Sequence, residues 1–229
     1  MQLGATPHVP FEATEMLRTA ASRSVARDAA LTRALDITAA LAAIVLLLPL
    51  LVLIVLALKL TSSGPVLFAH RRIGRNGKAF PCYKFRSMVA NSAEVLERHL
   101  AECPEARAEW TRDQKLRSDP RVTPVGRILR RTSLDEVPQI FNVLRGEMSI
   151  VGPRPIVEGE MIRYRQYISA YCSVKPGITG LWQISGRNNT TYRRRVALDT
   201  AYARSRSIRL DIAIIVRTVP AVLSGSGCY

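Results

Sequence analysis

The 22 uncharged, nearly all apolar residues from Ile37 to Leu58, bounded by Asp36 and Lys59, constrain this chain more than any other stretch. At 1.5 Å per residue they make a helix about 33 Å long, enough to cross a hydrocarbon core. The run starts too far into the chain, and lacks the small-residue cleavage site, expected of a secretory signal. Pro49 stands at its middle, where a proline removes a helical hydrogen bond and clashes with the preceding turn. Each half is then about 15 Å long, near half the hydrocarbon thickness. Arg18, Arg23, Arg27 and Arg33 precede the run, and Lys59, Arg71, Arg72, Arg75 and Lys78 follow it. Basic flanks prefer the cytoplasmic side, so both ends favour one face. The expected element is a re-entrant membrane helix over residues 33–60 that enters, breaks at Pro49 and returns. A full span and a buried core helix are the alternatives. Backbone groups freed at the break need a partner that lipid cannot offer.

A formal net charge of +15 in 229 residues calls for an anionic partner: nucleic acid, an anionic membrane surface or phosphorylated substrates. A nucleic-acid role leaves the apolar run unexplained, and no nucleic-acid-binding module is recognisable, so none is expected. Cys82, Cys103, Cys172 and Cys228 are far apart, which argues against a zinc site or disulfide scaffold and fits a reducing compartment. Residues 1–32 read as a tail and a short helix from about Thr14. Residues 61–229 read as a compact domain, α+β and mostly helical. Val66 to His70 and Ala79 to Phe85 form a hairpin across Asn76-Gly77. Ala90 to Glu109 has the pattern of a surface helix that Pro104 interrupts or restarts. Thr111 to Pro124 reads as loop, Arg127 to Arg131 as a short helix, and Glu158 to Ala170 as another helical segment. Tyr192 to Arg206 and Ile208 to Leu223 read as C-terminal amphipathic helices suited to a headgroup layer, or else packed on the domain.

Between Arg130 and Pro155 the chain carries adjacent carboxylates, Asp135 and Glu136, in a basic setting, then a turn in which Gly152, Pro153 and Pro155 display Arg154. Carboxylates hold a hard cation and guanidinium forks hold phosphoryl oxygens, so the pattern points to a divalent-metal and phosphate site. Taken alone, the same pair fits an ordinary acidic helix start capped by Ser133. At such a start, backbone donors and the macrodipole would hold Asp135 ionised. Lys84 and Arg86 face either the substrate or anionic lipid headgroups. Trp182, in the rigid turn begun by Lys175-Pro176-Gly177, either packs on that turn or lies under a base or sugar.

The segment Arg130-x-x-Ser133-Leu134-Asp135-Glu136-x-Pro138-Gln139-x-x-Asn142-Val143-Leu144-x-Gly146-Glu147-Met148-Ser149-x-Val151-Gly152-Pro153-Arg154-Pro155 resembles the signature of the bacterial sugar transferases, the monotopic polyprenyl-phosphate phosphoglycosyl transferases. Arg71-Arg72-x-Gly74-x-x-Gly77-Lys78-x-Phe80, Tyr83-Lys84-Phe85-Arg86-Ser87-Met88 and Lys175-Pro176-Gly177-Ile178-Thr179-Gly180-Leu181-Trp182-Gln183 with Gly186-Arg187 agree in order, so the likeness extends from about Arg33 to the C-terminus. Leu48 stands where many relatives have serine before the mid-helix proline, and Glu147 where aspartate is common.

The resemblance implies an enzyme at the cytoplasmic face of a bacterial inner membrane. It would move a sugar 1-phosphate from a UDP-sugar to undecaprenyl phosphate, the first membrane step of exopolysaccharide or O-antigen synthesis. Asp135 is then the nucleophile and a ligand of Mg²⁺, with Glu136 as base or orienting partner. Lys84, Arg86, Arg130, Arg154 and Arg187 are the residues expected to hold phosphate. The compact chain favours a hexose, with an N-acetylated sugar as the alternative. Anionic lipids and a homodimer are the further partners. A basic membrane scaffold without catalysis is the competing class, and substitution of Asp135 would leave it intact.

Overall fold

The computed structural model describes residues 11–113, 116–186 and 190–223. One long helix, α1 (Phe11–Thr61), leads into an antiparallel hairpin of β1 (Leu67–Ile73) and β2 (Ala79–Phe85). Short helices follow: α2 (Ser92–Glu102), α3 (Pro104–Asp113), α4 (Pro124–Arg131) and α5 (Gln139–Arg145). Next come β3 (Ser149–Val151), α6 (Met161–Tyr164), α7 (Ile168–Ser173), β4 (Gly177–Thr179), α8 (Leu181–Ile184), α9 (Tyr192–Ser205) and α10 (Ile208–Leu223). The architecture is mostly helical, with two small two-stranded sheets, the second a parallel pairing of β3 with β4.

Two expectations about the first helix change. It begins at Phe11 and runs on through residue 33, so no separate N-terminal helix precedes the apolar run. Nor does Pro49 end it, because the helical assignment continues to Thr61. A proline withdraws one bond from the ladder, and the remaining bonds can carry the helix past it. Across the middle of the run the side chains lie open: Val45 is 74 % and Leu46 80 % exposed. By length and composition the Asp28–Thr61 part is sufficient to cross a membrane.

Both ends of this apolar stretch are fastened to the domain. Arg33 and Asp36, three apart and so on one helix face, reach α5 and β3. The Arg33 guanidinium donates to the Val143 and Leu144 carbonyls at 2.6 and 2.7 Å, in the last turn of α5, where a cation is favoured. The Asp36 carboxylate, 2 % exposed, accepts from Ser149 Oγ and the Ile150 N–H, both at 2.8 Å. Ala40 continues the contact in a core with Phe80, Cys82, Ile140, Val143 and Met148. At the far end Ile54 and Leu58 are buried with Phe85 and Leu129.

At the tip of the hairpin, in the connection between Ile73 and Ala79, Asn76 and Gly77 have φ angles of 59° and 71°, the left-handed pair of a tight turn. Strand β1 is longer than its sequence indicates, taking in Arg71, Arg72 and Ile73. Since cross-strand partners share a face, Arg72, Cys82 and Lys84 lie together on one side. Asn142, fully buried, holds α5 to β2: its amide accepts from the Tyr83 N–H at 3.0 Å and donates to the Pro81 carbonyl at 2.7 Å and to Glu147 at 2.6 Å. The glutamate at 147 thus keeps a carboxylate within reach of this bridge.

The second sheet depends on glycine. A Cβ at Gly152 would meet the Lys175 carbonyl oxygen at 2.4 Å, and one at Gly177 would meet the Gly152 nitrogen at 2.0 Å. Without side chains the two backbones touch, and the turn that carries Arg154 presses against β4.

Candidate active site

Asp135 and Glu136 lie in a single 3₁₀ turn, Leu134–Glu136, between α4 and α5. Ser133 before it is left-handed, φ 58°, and its side chain does not cap the turn. The expected capped helix start is therefore absent. One turn followed by Pro138 is too short to build a macrodipole over Asp135. One cation nevertheless lies near both side chains. Lys84 Nζ lies 2.6 Å from Glu136 Oε1 and 3.9 Å from Asp135 Oδ2.

The two carboxylates occupy different electrostatic positions. Burial pushes the Asp135 carboxyl above its ordinary range, with Lys84 opposing and Glu136 adding to the rise. Burial also works against ionisation of Glu136, but Arg154, Lys84 and Arg72 together hold its carboxyl down to about 2. Glu136 is thus the fixed anion of the pair, and Asp135, 9 % exposed, is the one with fewer cationic contacts.

Around this pair the structure brings together Lys84, Arg154 and Arg130. Arg154 Nη2 is 3.4 Å from Glu136 Oε1. Arg130 donates from Nε to Ser87 Oγ at 2.8 Å and acts electrostatically on Asp135. Helix α4 packs this closely on Ser87 because position 126 is glycine: a Cβ there would lie 2.0 Å from the Ser87 carbonyl oxygen. Arg86 is placed elsewhere. Its guanidinium donates to the Ser62 carbonyl at 3.0 Å and to Ser62 Oγ at 2.8 Å, at the end of α1, while Nε and Nη1 are buried without partners. Arg187 lies outside the described residues.

A small pocket opens beside the pair, lined in part by Arg72, Lys84, Glu136, Gln139, Arg154 and Gln183. Trp182 is buried behind it, with the Arg154 guanidinium 5.6 Å and the Arg195 guanidinium 5.0 Å from its ring centre. It therefore serves as a stacking surface for arginines, a use neither sequence reading named. Arg195 also lies 5.2 Å from the Tyr192 ring centre and 3.5 Å from Glu160, and donates to the Arg154 carbonyl at 3.4 Å. Glu160 in turn faces Arg72 at 3.9 Å.

Sequence reasoning assigned no site role to Arg72, Gln139, Gln183 or Arg195. Arg72 was legible in principle, since strand parity with Lys84 follows once β1 continues to Ile73. The others depend on which helices meet around the pocket.

Among the described residues no three histidine, cysteine, aspartate or glutamate side chains converge as a metal cage. A divalent cation such as Mg²⁺ is commonly held by one or two carboxylates together with substrate phosphates. Asp135 fits that mode, because Glu136 is already taken up by Lys84 and Arg154.

Residues 27–225 match the family model described as "Bacterial sugar transferase". The chain belongs to the bacterial sugar transferase family. An "Undecaprenyl-phosphate galactose phosphotransferase" of Salmonella typhimurium is 52 % identical over 200 residues, covering 87 % of this chain and 42 % of that protein. "Exopolysaccharide production protein ExoY" of Rhizobium meliloti is 48 % identical over 197 residues, covering 86 % of this chain and 87 % of that protein. A "UDP-glucose:undecaprenyl-phosphate glucose-1-phosphate transferase" of Escherichia coli is 44 % identical over 198 residues, covering 82 % and 39 %. The chain thus spans about two fifths of the length of the first curated relatives it matches. In this bacterial sugar transferase the Asp135–Glu136 turn, the hairpin with Lys84 and the Arg154 turn all lie inside the matched region.

Proposed function

We propose that this chain is a polyprenyl-phosphate hexose-1-phosphate transferase that uses a UDP-hexose and undecaprenyl phosphate at the cytoplasmic face of a bacterial inner membrane. The observation that carries the reading is a buried aspartate within reach of Lys84 and next to a pocket lined by Arg72, Lys84, Glu136 and Arg154, on a domain fastened to both ends of an apolar stretch. A sugar nucleotide is water-soluble and a polyprenyl phosphate is not, so an enzyme joining them must work at the interface. Relatives whose names specify galactose and glucose support a hexose donor.

In the proposed reaction an Asp135 carboxylate oxygen attacks the sugar-proximal phosphorus of the UDP-hexose. The bond from that phosphorus to the bridging oxygen breaks, and UMP departs with the electron pair. The phosphosugar is left on Asp135 as an acyl phosphate. A lipid phosphate oxygen then attacks the same phosphorus, giving polyprenyl diphosphate hexose and free Asp135. Two half-reactions let dissimilar substrates use one basic pocket in turn. Lys84, Arg130 and Arg154 supply positive charge where phosphoryl oxygens gather. Glu136, held ionised, fixes Lys84 and Arg154 in place. Mg²⁺ held by Asp135 and the diphosphate would add charge neutralisation, which lets an anionic nucleophile approach an anionic phosphorus.

The helix is proposed to be re-entrant. Support comes from its two fastened ends: Asp36 and Leu58 are 22 residues apart, about 33 Å of straight helix, yet both pack on the same domain.

The deciding experiment incubates purified protein with UDP-hexose labelled in the sugar, without lipid acceptor. Wild type should carry covalent label. Asp135→Asn should carry none and lose turnover on the order of 10³-fold or more, while remaining membrane-bound. Full turnover by a wild type that never carries label would replace the two-step route with direct transfer.

A further inference from the structure

Gln139 and Gln183 are 3 % and 9 % exposed, and both line the pocket beside Lys84, Glu136 and Arg154. Among the described residues Gln183 Oε1 is fully enclosed without a hydrogen-bond partner. Their placement follows from rigid parts of the fold. Gln139 opens α5 three residues after Glu136. Gln183 belongs to α8, and Gly180 before that helix packs so closely on the Gly152 carbonyl oxygen that a Cβ there would lie 2.1 Å from it.

Interiors pair the large majority of buried polar groups, and those left over mark places where something else supplies the partner. Such an amide oxygen on Gln183, with the buried Gln139 lining the same pocket next to cations suited to phosphate, is a second kind of recognition element. A glutamine amide is neutral and offers both donor and acceptor. It matches a hydroxyl or an imide better than a phosphoryl oxygen, which Arg72, Lys84 and Arg154 are better placed to hold. The enclosed space beside them is only about 10 Å³, room for a single water-sized group such as one hydroxyl or one carbonyl oxygen. It suits one end of a donor rather than all of it.

We propose that Gln139 and Gln183 form the specificity-determining part of this site, hydrogen-bonding the neutral polar end of the nucleotide sugar, either its sugar hydroxyls or its uracil imide edge. The amides orient that end while the cations hold the diphosphate. The proposal rests on the UDP-hexose reading above.

The test uses the full chain in lipid nanodiscs with UDP-hexose and undecaprenyl phosphate. Gln183→Met and Gln139→Met, close to glutamine in size, should each raise the donor KM about tenfold, with kcat within about threefold and the lipid KM unchanged. UDP as competitive inhibitor separates the two sources. If its inhibition constant rises in step with the donor KM, the amides read uracil; if it stays at the wild-type value, they read sugar hydroxyls. A donor KM equal to wild type in both variants, or an effect confined to kcat or to melting temperature, overturns the proposal. Should Gln183→Met fail to fold, Gln139→Met reads the same pocket. Lack of wild-type turnover with every UDP-hexose is a separate result that sinks the donor assignment, and this proposal with it.

Discussion

At the scale of single residues, the site is a contest between burial and cations. Lys84 touches both members of the carboxylate pair. Replacing it with methionine leaves Glu136 with Arg154 as its near partner, and a buried charge losing a hydrogen-bonded partner costs about 3 kcal/mol. Lys84→Met should therefore lower both melting temperature and turnover, whereas a lysine serving only headgroups would move neither. Arg154 is stacked on Trp182 and directed at Glu136. A lysine there keeps the charge but loses the planar fork and the stack. Arg154→Lys should reduce turnover about tenfold or more, and Trp182→Leu should reproduce part of that loss without changing net charge. Deeper in the domain, burial pushes the Asp199 carboxyl up to about 6, although Tyr164 donates to it at 2.6 Å and Arg195 lies 3.7 Å away. Between the ordinary aspartate pKa and that value, the folded chain keeps a proton that the unfolded chain releases. Stability should then fall as pH rises through this window, by on the order of 3 kcal/mol, and level off above it. Asp199→Asn should abolish that part of the slope when melting is followed from pH 4 to 7.

At the scale of elements, function depends on how α1, the hairpin and the α4–α5 corner are joined. Arg33 and Asp36 fasten α1 through four hydrogen bonds to α5 and β3. Asp36→Ala strands Ser149 Oγ and the Ile150 N–H, and each buried group left unsatisfied costs about 1–3 kcal/mol. The variant should melt earlier and become protease-sensitive near residue 149, while the protein stays in the membrane through its apolar run. Gly126→Ala drives a methyl group into the Ser87 backbone. Helix α4 must then shift, carrying Arg130 off Ser87, so turnover should fall even where the fold survives. The sequence located most of these elements: α9 and α10 begin where their patterns begin, and Pro104 restarts a helix as its position indicates. It misjudged β1, which it ended at His70 instead of Ile73. Cross-strand hydrogen bonds, which no local pattern reveals, extended that strand and brought Arg72 to the site.

At the scale of the whole molecule, the question is which side of the bilayer holds each end of the apolar run. Tags placed before Arg33 and after Gly64 should both resist a membrane-impermeant reagent applied from the periplasm. Labelling of one tag but not the other would establish a span and remove the re-entrant reading. The amino-acid order by itself determined that this chain holds an apolar run long enough for a bilayer, that the rest is strongly basic, and that an acidic pair, Asp135 and Glu136, precedes a turn displaying Arg154. Each of these is a local property, fixed by composition, periodicity or spacing. Tertiary structure alone decided that Arg86 holds the end of α1 instead of the pocket, and that Trp182 carries two arginines. It also decided that burial lifts Asp135 while three cations hold Glu136 ionised. Those outcomes depend on groups that lie far apart along the chain, and the electrostatics of a buried carboxylate is set by whatever folding places beside it.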